Sequence, residues 1–306
     1  MDKKTFLNWG LTSDWLVEGP RKRRASGVAA TTCTLSPPTP QKPERGGSTA
    51  ERLAGSPESD EDEDPNASSE GYGEMTEGSI ERLLVFLRTL GSHPEVERLA
   101  ARKTALSPKK KKNGAENKSR LDAKNGTKNV RRGVSARNSL LSDIDLTSSS
   151  SFIDVGSGYG KVVLHARLSA RVAEAAGIEY VAARADMAGD ALRELRSGKH
   201  AFVTPEALAL LRDAHATRLT KGDATKLGAF QFSHVYMYDK VFSDPTTALL
   251  AAQLNASEKT KVLVSYQRAE QWRRLGLDAR FVEVASLTMR TTGGQNFKAY
   301  VFVRAG

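Results

Sequence analysis

Ten residues in the second half of the chain, FIDVGSGYGK at 152–161, constrain its fold more than any others. A strand-like run that contains Asp154 leads into three glycines at alternate positions, Gly156, Gly158 and Gly160. This G-x-G-x-G spacing differs from the G-x-G-x-x-G fingerprint of dinucleotide-binding proteins. Glycines let a ligand approach the backbone, and the helix after such a turn presents unpaired N–H groups. The stretch predicts a ligand-binding turn; the alternative is a turn that is rich in glycine for packing alone.

Strand-like and helical patterns alternate from this turn onward. The strand-like runs are SFIDV (151–155), GIEYV (177–181), TRLTK (217–221), HVYMY (234–238), KVLVSY (261–266), ARFVEVASL (279–287) and KAYVFV (298–303), and helical patterns cover about 159–175, 184–196, 205–215 and 245–255. Such alternation predicts a parallel, doubly wound α/β sheet. Gly293 and Gly294 between the last two strands predict an antiparallel hairpin. Five parallel strands followed by a hairpin are typical of class I, Rossmann-like methyltransferases that use S-adenosylmethionine.

Acidic residues at the ends of the first three strands predict a nucleoside site, because ligands of open α/β sheets bind outside the carboxyl ends of the strands. Asp154 repels phosphate and can accept a hydrogen bond from an ammonium group. Glu179 can bind both ribose hydroxyls, and Asp223 can accept from an adenine amino group, although Asp223 also fits a helix cap. Glu179 suits a nicotinamide cofactor equally well. The predicted cofactor is S-adenosylmethionine, which has an ammonium group and no phosphate, and its predicted ligands are Asp154, Gly156, Ser157, Gly158, Gly160, Glu179 and Asp223.

The fourth strand ends in the aromatic and charged run HVYMYDKVF. Methyl transfer requires a neutral nucleophile aligned with the methyl group, and deprotonating a lysine of pKa about 10.4 near pH 7 costs about 4–5 kcal/mol. An aromatic channel lowers that pKa by desolvation and holds the amine by cation–π contacts. Tyr238, Phe242 and Tyr300 are the predicted catalytic residues that form this channel. Phe297 either completes its wall or belongs to the core.

The rest of the chain differs in composition. Residues 1–70 are predicted to be a mostly disordered tail that contains the basic cluster PRKRR and the acidic run SPESDEDED. PRKRR is typical of nuclear import signals, and the apolar first nineteen residues fit docking either on this protein's core or on a partner. Residues 71–100 are predicted to form a lid and helix, 101–150 a basic low-complexity insertion, and 151–306 the catalytic domain.

Charge and composition narrow the classes of partner. The net charge is +10, and residues 101–150, with thirteen Lys or Arg and four Asp or Glu, contribute +9 of it. Such a block fits a flexible phosphate-binding arm or a further nuclear signal. Cys33 is the single cysteine, so an internal disulfide framework and a multi-cysteine zinc site are excluded. Since no apolar run reaches the length of a membrane span, we expect a soluble intracellular protein without a membrane partner. Because methyl transfer requires alignment instead of a metal, we also expect no metal site.

The segment GYGEMTEGSIERLL at 71–84 resembles the lid of the disruptor-of-telomeric-silencing (Dot) family, the non-SET lysine methyltransferases of histone H3. In this resemblance Tyr72, Gly73 and Glu74 form the lid, so Tyr72 and Glu74 join the predicted cofactor site. FIDVGSGYGKVVLHA, GIEYVAARA and KGD are similar to the family's cofactor motifs, and the resemblance covers 71–90 and about 151–304. It implies a nuclear enzyme that methylates a core lysine of nucleosomal histone H3, with non-specific DNA contact through 102–137.

The chain also departs from the family pattern. Lys161 stands where the family usually has glutamine, and Tyr238 and Asp239 stand where it usually has an asparagine pair. The run YMYDKVF resembles divergent protozoan members. Two alternatives are a class I methyltransferase acting on RNA or on a non-histone protein, and a non-catalytic homologue that binds chromatin.

Overall fold

The computed structural model describes residues 74–106, 143–201 and 203–305, and not the side chains of 103–106. The predictions for the tail at 1–70, for Tyr72 and Gly73 of the lid, and for most of the basic segment, including the Lys-rich run at 109–112, lie outside the described residues.

Helices and strands alternate through the described residues. The helices are α1 (Glu77–Leu87), α2 (Pro94–Leu106), α3 (Lys161–Leu168), α4 (Ala182–Arg196), α5 (Pro205–Arg212), α6 (Asp244–Ala256) and α7 (Ala269–Arg274). The strands are β1 (Ser151–Val155), β2 (Glu174–Glu179), β3 (Thr217–Lys221), β4 (His234–Met237), β5 (Val262–Ser265), β6 (Phe281–Arg290) and β7 (Asn296–Arg304). No helix among the described residues is long and apolar enough to span a membrane.

The strands form one mixed sheet in the order β3-β2-β1-β4-β5-β7-β6. The first five of these strands are parallel, and β7 lies antiparallel between β5 and β6. The predicted parallel sheet with a terminal antiparallel hairpin is therefore confirmed. The strand order reverses between β1 and β4, so the ligand crevice of such a sheet lies at the carboxyl ends of these two strands.

Several predicted boundaries are wrong by a few residues. β2 begins at Glu174, three residues before the predicted start, and α3 ends at Leu168 instead of 175. The Arg167 side chain donates hydrogen bonds to the carbonyls of Val172 and Ala173, which fixes the turn between α3 and β2. The hairpin strands reach further toward each other than predicted, so their turn occupies only 291–295. The short helix α7 was not predicted.

The predicted lid helix is present as α1, which packs on one face of the sheet. Its buried residues Ile80, Leu83, Leu84 and Leu87 share a core cluster with residues of β1, β4, β5 and β7. The three residues before α1 join the terminal hairpin: Met75 forms an isolated antiparallel bridge with Thr291. The lid segment is thus part of the same core as the sheet.

Residues 143–150 also pack into this core. Leu146 N donates to Leu87 O at 2.9 Å, Gly91 N donates to Asp145 Oδ1 at 2.6 Å, and His234 Nε2 lies 3.1 Å from Ile144 O. At the other end of the predicted insertion, α2 continues to Leu106. The described ends of the 101–150 segment are therefore structured and pack with the sheet and α1.

Candidate cofactor and acceptor site

The glycine turn is held against β2 by backbone hydrogen bonds. The amides of Gly156 and Ser157 both donate to Ile178 O, at 2.9 and 3.1 Å. Gly160 has a φ of +84°, and a Cβ atom there would lie 2.5 Å from a methyl carbon of Leu219. Glycine is required at 160 because the left-handed conformation and the close approach both exclude a side chain.

The Ser157 side chain fills the space above a glycine of β2. A Cβ atom at Gly177 would lie 2.7 Å from Ser157 Oγ, and Ser157 is buried. Gly177 is not among the predicted site residues; its lack of a side chain lets the turn fold down onto the strand. An isolated glycine inside a strand is the signal for such a close approach.

Glu179 organises the end of β2 beside the turn. It is 4% exposed; its Oε2 accepts a 2.8 Å hydrogen bond from Gly158 N, and its Oε1 accepts one of 2.9 Å from Val181 N. Each carboxylate oxygen has a second lone pair. The carboxylate is therefore held in place and still able to accept from a ligand, as the prediction for a ribose requires.

Asp154 lies in β1 at the centre of the sheet, paired in register with Gly177 and Tyr236. It is 2% exposed, and its Oδ1 has no hydrogen-bond partner among the described residues. Burial, followed by the nearby charges of Glu179 and Glu74, raises its pKa well above the usual range. A buried carboxyl oxygen without a partner is costly, and a ligand donor at this atom would remove that cost.

Lys161, the residue that departs from the family pattern, forms an ion pair with Glu74 of the lid. Its Nζ lies 3.7 Å from Glu74 Oε2, and only 7% of its side chain is exposed. Burial raises the pKa of Glu74, and the Lys161 charge partly reverses that shift. The lid is also tied to the hairpin, because Thr292 N donates to Glu74 O at 2.7 Å and Thr76 N donates to Arg290 O at 2.8 Å. Residues 74–76 therefore connect the hairpin turn to the start of α3.

Asp223 follows β3 and caps a short 3₁₀ turn at Ala224–Lys226. Its Oδ1 accepts hydrogen bonds from Thr225 N at 2.9 Å and from Thr225 Oγ1 at 2.6 Å. Lys226 Nζ lies 3.5 Å from its Oδ2. These hydrogen bonds lower the pKa of Asp223, so the cap alternative is correct, and the adenine contact stays a prediction.

The predicted aromatic wall is divided between the two faces of the sheet. Tyr238 and Phe297 pack against the core cluster that contains α1, with ring centroids 5.7 Å apart. Tyr300 belongs to the cluster on the opposite face, and its hydroxyl accepts a 3.0 Å hydrogen bond from Arg268 Nε. Successive residues of a strand face opposite sides, so the odd spacing of Phe297 and Tyr300 separates them. The structure therefore does not bring Tyr300 and Tyr238 together on one wall, and a catalytic role for Tyr300 stays a prediction.

Tyr266, which the sequence analysis missed, packs beside Tyr238 instead. Their ring centroids are 4.7 Å apart, with the rings at 78°, and the Tyr266 hydroxyl lies 3.1 Å from that of Tyr236. Burial raises the pKa of both Tyr236 and Tyr266 above the ordinary value, so both stay protonated at neutral pH. The alternation of Val262, Val264 and Tyr266 was the signal that placed this ring on the Tyr238 face.

Phe242 borders the glycine turn. A Cβ atom at Gly156 would lie 3.2 Å from Cζ of Phe242, so the ring lies directly against that glycine. Phe242 also packs against the cluster on the Tyr300 face. The structure thus brings Phe242 to the cofactor turn and Tyr238 to the aromatic group under the lid.

Asp239, between these aromatic residues, joins the loops after β4 and β5. It is fully buried; its Oδ1 accepts from Tyr266 N at 2.7 Å, and its Oδ2 accepts from Ser265 Oγ. Trp272 Nε1 donates to the same Ser265 Oγ at 2.7 Å, and Gln267 Nε2 donates to Asp239 O at 3.0 Å. Burial raises the pKa of Asp239 to about 6. The residue that departs from the family's asparagine pair thus fixes the positions of Tyr238 and Tyr266.

The strand order and the position of the site at the β1 and β4 ends define a class I, Rossmann-like S-adenosylmethionine-dependent methyltransferase fold. Within that class, the family model described as "Histone methylation protein DOT1" matches residues 131–208. The match includes the glycine turn, β2 and α4, and it covers 78 of the 306 residues. The predicted resemblance to the Dot family is therefore confirmed over these residues. Fold and match together support a methyltransferase related to histone methylation proteins.

Similar solved structures include the M1A22 tRNA methyltransferase TrmK of B. subtilis, at 15% identity and a TM-score of 0.37 over 52% of this chain and 62% of that one. Magnesium protoporphyrin IX methyltransferase (ChlM) from Synechocystis PCC 6803, with bound SAM, has 14% identity and a TM-score of 0.39 over 74% and 97%. An RNA methyltransferase from Salinibacter ruber, in complex with S-adenosyl-L-homocysteine, has 16% identity and a TM-score of 0.36 over 55% and 88%. These similarities are too weak to carry an argument, so the fold assignment rests on the strand order. No curated protein sequence matches the chain.

Proposed function

We propose that the protein is a histone-lysine N-methyltransferase that transfers a methyl group from S-adenosylmethionine to a core lysine of nucleosomal histone H3. The observation that carries the proposal is the Asp154 carboxyl group, buried beside the glycine turn with one oxygen unpaired among the described residues. This oxygen requires a donor, and the ammonium group of the cofactor supplies one. The match to the histone methylation family supports the class of acceptor.

The residues around the turn fit S-adenosylmethionine. Asp154 would accept from its ammonium group, Glu179 from the ribose hydroxyls through its remaining lone pairs, and Asp223 from the adenine. The amides and open surface of the glycine turn would approach the amino-acid portion. When bound, the cofactor supplies an electrophilic methyl group on its sulfonium. No group of three or more His, Cys, Asp and Glu residues in the described parts of the chain could hold a metal ion.

The charge of the site favours a cationic cofactor. Asp154, Glu179 and Glu74 provide three carboxyl groups, and Lys161 provides one ammonium group. Nearby carboxylates raise each other's pKa values, so an added positive charge is favoured. A phosphate-containing dinucleotide is disfavoured by the same charges.

The aromatic group at the β4 end supports an amine acceptor. The Tyr238 ring lies edge-on to the rings of both Tyr266 and Phe297, and Phe242 borders the glycine turn. Aromatic surroundings lower the pKa of an incoming lysine by desolvation, so its amine loses a proton more readily. The role of these residues is to orient the amine and exclude water, while Tyr238 and Phe242 contact the acceptor side chain.

The proposed partner is the nucleosome, and the proposed location is the nucleus. The +9 charge of residues 101–150 fits non-specific contact with DNA phosphates through 102–137, and PRKRR fits an import signal. Such contacts release counterions, so nucleosome binding is expected to weaken steeply as the salt concentration rises.

The test supplies tritiated S-adenosylmethionine with nucleosomes, free histones or RNA. We expect label on histone H3 in nucleosomes with the wild-type protein, loss of label with Asp154→Asn, and unchanged label with Asp186→Asn, an exposed control on α4. Label on RNA and not on histone would refute the acceptor assignment. Cofactor binding without labelling of any substrate would support a non-catalytic homologue.

A second experiment separates the basic segment from the catalytic unit. Deleting 107–137, which leaves α2 and 143–150 intact, is expected to lower activity on nucleosomes without changing cofactor affinity. Equal loss of both would mean that the segment supports the fold.

A further inference from the structure

Gln253 is a buried amide on the mainly apolar buried face of α6. It is 8% exposed, and the buried side chains beside it on the helix include Leu250, Ala251 and Leu254. Its Nε2 donates to Thr225 O at 2.5 Å, whereas its Oε1 is buried and has no hydrogen-bond partner among the described residues. A buried amide oxygen without a partner is costly, so packing alone does not account for a glutamine at this position.

This glutamine contacts the turn that follows β3. The carbonyl of Thr225 can only accept a hydrogen bond, so the amide nitrogen of Gln253 is the atom that faces it. Thr225 in turn donates from its N and from its Oγ1 to Asp223 Oδ1, at 2.9 and 2.6 Å. Gln253, Thr225 and Asp223 therefore form one chain of hydrogen bonds that runs from α6 to the Asp223 carboxylate.

The Asp223 carboxylate lies near the proposed ribose site. Lys221 pairs in register with Glu179, and Gly222 N donates to Glu179 O at 2.9 Å, so Asp223 is two residues past the position that pairs with Glu179. Asp223 Oδ2 lies 3.5 Å from Lys226 Nζ, and 28% of the Asp223 side chain is exposed. Because a carboxylate oxygen has more than one lone pair, Oδ2 can also accept from a ligand.

We propose that Gln253 is a positioning residue that fixes Asp223 for the 6-amino group of adenine and so makes the cofactor site select adenine over hypoxanthine. This inference rests on the proposed function, in which Asp223 accepts from the adenine. A carboxylate that is held in place accepts from the exocyclic amine of adenine and repels the 6-oxo group of hypoxanthine. A carboxylate that can move is able to shift toward the N1–H donor of hypoxanthine and accept from it. The fixed position of Asp223, in addition to its charge, therefore determines the selectivity.

The helix α6 provides the rigidity that the turn lacks. Asp223 caps a 3₁₀ turn of three residues, Ala224–Lys226, and such turns have poorer hydrogen-bond geometry than an α-helix. In contrast, α6 has 13 residues and contributes Leu250, Ala251 and Leu254 to the core cluster on its face of the sheet. A binding group is held precisely when its supporting residues are themselves locked by packing and hydrogen bonds. The Gln253 hydrogen bond thus ties the turn to a fixed part of the fold.

Calorimetric titration with S-adenosyl-L-homocysteine and S-inosyl-L-homocysteine measures this selectivity as the ratio of two dissociation constants. The two ligands share their amino-acid and ribose groups and differ in the base. The proteins compared are wild type, Gln253→Met, Asp223→Ala, the double variant and the control Gln231→Met. Methionine keeps the length of glutamine and removes its donor. Gln231 is exposed, and its Nε2 also donates to a backbone carbonyl, that of Ala229.

We expect the wild type to bind the adenine ligand about tenfold or more tightly than the hypoxanthine ligand, because the latter loses one charge-assisted hydrogen bond. Gln253→Met should weaken binding of the adenine ligand and not of the hypoxanthine ligand, so its ratio should approach that of Asp223→Ala. Adding Gln253→Met to Asp223→Ala should leave the ratio unchanged, and Gln231→Met should match the wild type.

Thermal unfolding checks that each variant is folded. If Gln253→Met is not, Thr225→Val tests the same chain from its other end, because it removes the Oγ1 hydrogen bond to Asp223 and should also lower the ratio.

A ratio that stays at the wild-type value in the folded Gln253→Met variant would overturn the inference, even if both affinities fall, and would mean that Gln253 only supports the fold. A wild type that binds both ligands equally well would also overturn it. These two results leave the proposed function standing. Absence of S-adenosyl-L-homocysteine binding by the wild type would overturn the inference and the proposed function together.

Discussion

Replacing Lys161 with glutamine, the residue usual in the Dot family, perturbs the contact between the lid and the cofactor turn. The ion pair of Lys161 with Glu74 spans 3.7 Å, which corresponds to a Coulomb attraction of about 4 kcal/mol at an effective dielectric constant of about 20. Desolvation of both groups offsets much of this attraction, and Glu74 keeps 30% of its side chain exposed. We therefore expect a coupling free energy of about 1–3 kcal/mol between the two side chains.

Urea unfolding of the wild type, Lys161→Gln, Glu74→Gln and the double variant measures this coupling as a double-mutant cycle. Lys161→Gln should lower the free energy of unfolding the most, because it leaves the largely buried carboxyl group of Glu74 without its cation. Adding Glu74→Gln should restore part of the loss. The exposed Lys199→Gln is the control and should change stability little. A coupling below about 0.5 kcal/mol, the usual scatter of independent sites, would refute the reasoning.

The pH dependence of the Lys161→Gln deficit provides an independent check of the same prediction. Glu74 has a raised pKa, and its carboxylate takes up a proton as the pH falls. Once Glu74 is neutral, the missing cation has no charge to balance. The stability difference between wild type and Lys161→Gln should therefore shrink in acid, and a difference that grows in acid would contradict the assignment.

Three further outcomes are expected from other parts of the site. Because the pKa of Asp154 is raised, cofactor affinity should increase as the pH rises through that pKa, with release of a proton visible by calorimetry in buffers of different ionisation enthalpy, and Asp154→Asn should abolish this dependence. The pKa of Asp239 is raised from 3.8 to about 6, so the carboxyl group loses its proton at a lower pH in the unfolded state than in the folded one. The free energy of unfolding should therefore fall by about 3 kcal/mol as the pH rises between these values. Urea unfolding at several pH values should show a smaller change for Asp239→Asn. Gly160→Ala should lower stability by about 1–2 kcal/mol in thermal unfolding. The loss should exceed that of Gly158→Ala, because only a Cβ atom at 160 meets Leu219. Equal losses for the two variants would assign the effect to backbone conformation alone.

The sheet and the cofactor turn could be predicted from the sequence because they depend on local patterns. The succession of strands along the chain follows from the alternation of strand-like and helical patterns. The ligand-binding turn follows from the spacing of its glycines and from the acidic residues at the strand ends. The sequence even predicts that Phe297 and Tyr300 lie on opposite faces of the sheet, since an odd spacing on one strand places two side chains on opposite faces. The prediction overlooked this and grouped the rings by strand end alone.

Long-range pairings could not be predicted in the same way. Lys161 and Glu74 are 87 positions apart, and nothing in either local pattern indicates that the two meet. The bridge of Met75 to Thr291 joins residues still further apart. The hydrogen bonds of Asp239 could not be predicted either, because its partners in the loop after β5 depend on how two parallel strands end side by side.

The placement of α1 and α2 makes the catalytic unit a union of two stretches of chain. Residues 74–106 contribute seven buried side chains to a core whose other buried members lie after 142: Met75, Ile80, Leu83, Leu84, Leu87, Leu90 and Val96. Hydrogen bonds from Leu146 to Leu87 and from Thr76 to Arg290 join the two stretches at opposite ends of α1. The core cluster around α1 is complete only when both stretches are present, and packing and hydrogen bonds hold the two stretches together in addition to the covalent connection. We therefore expect the two stretches to stay associated in one complex after a cut in the basic segment between them.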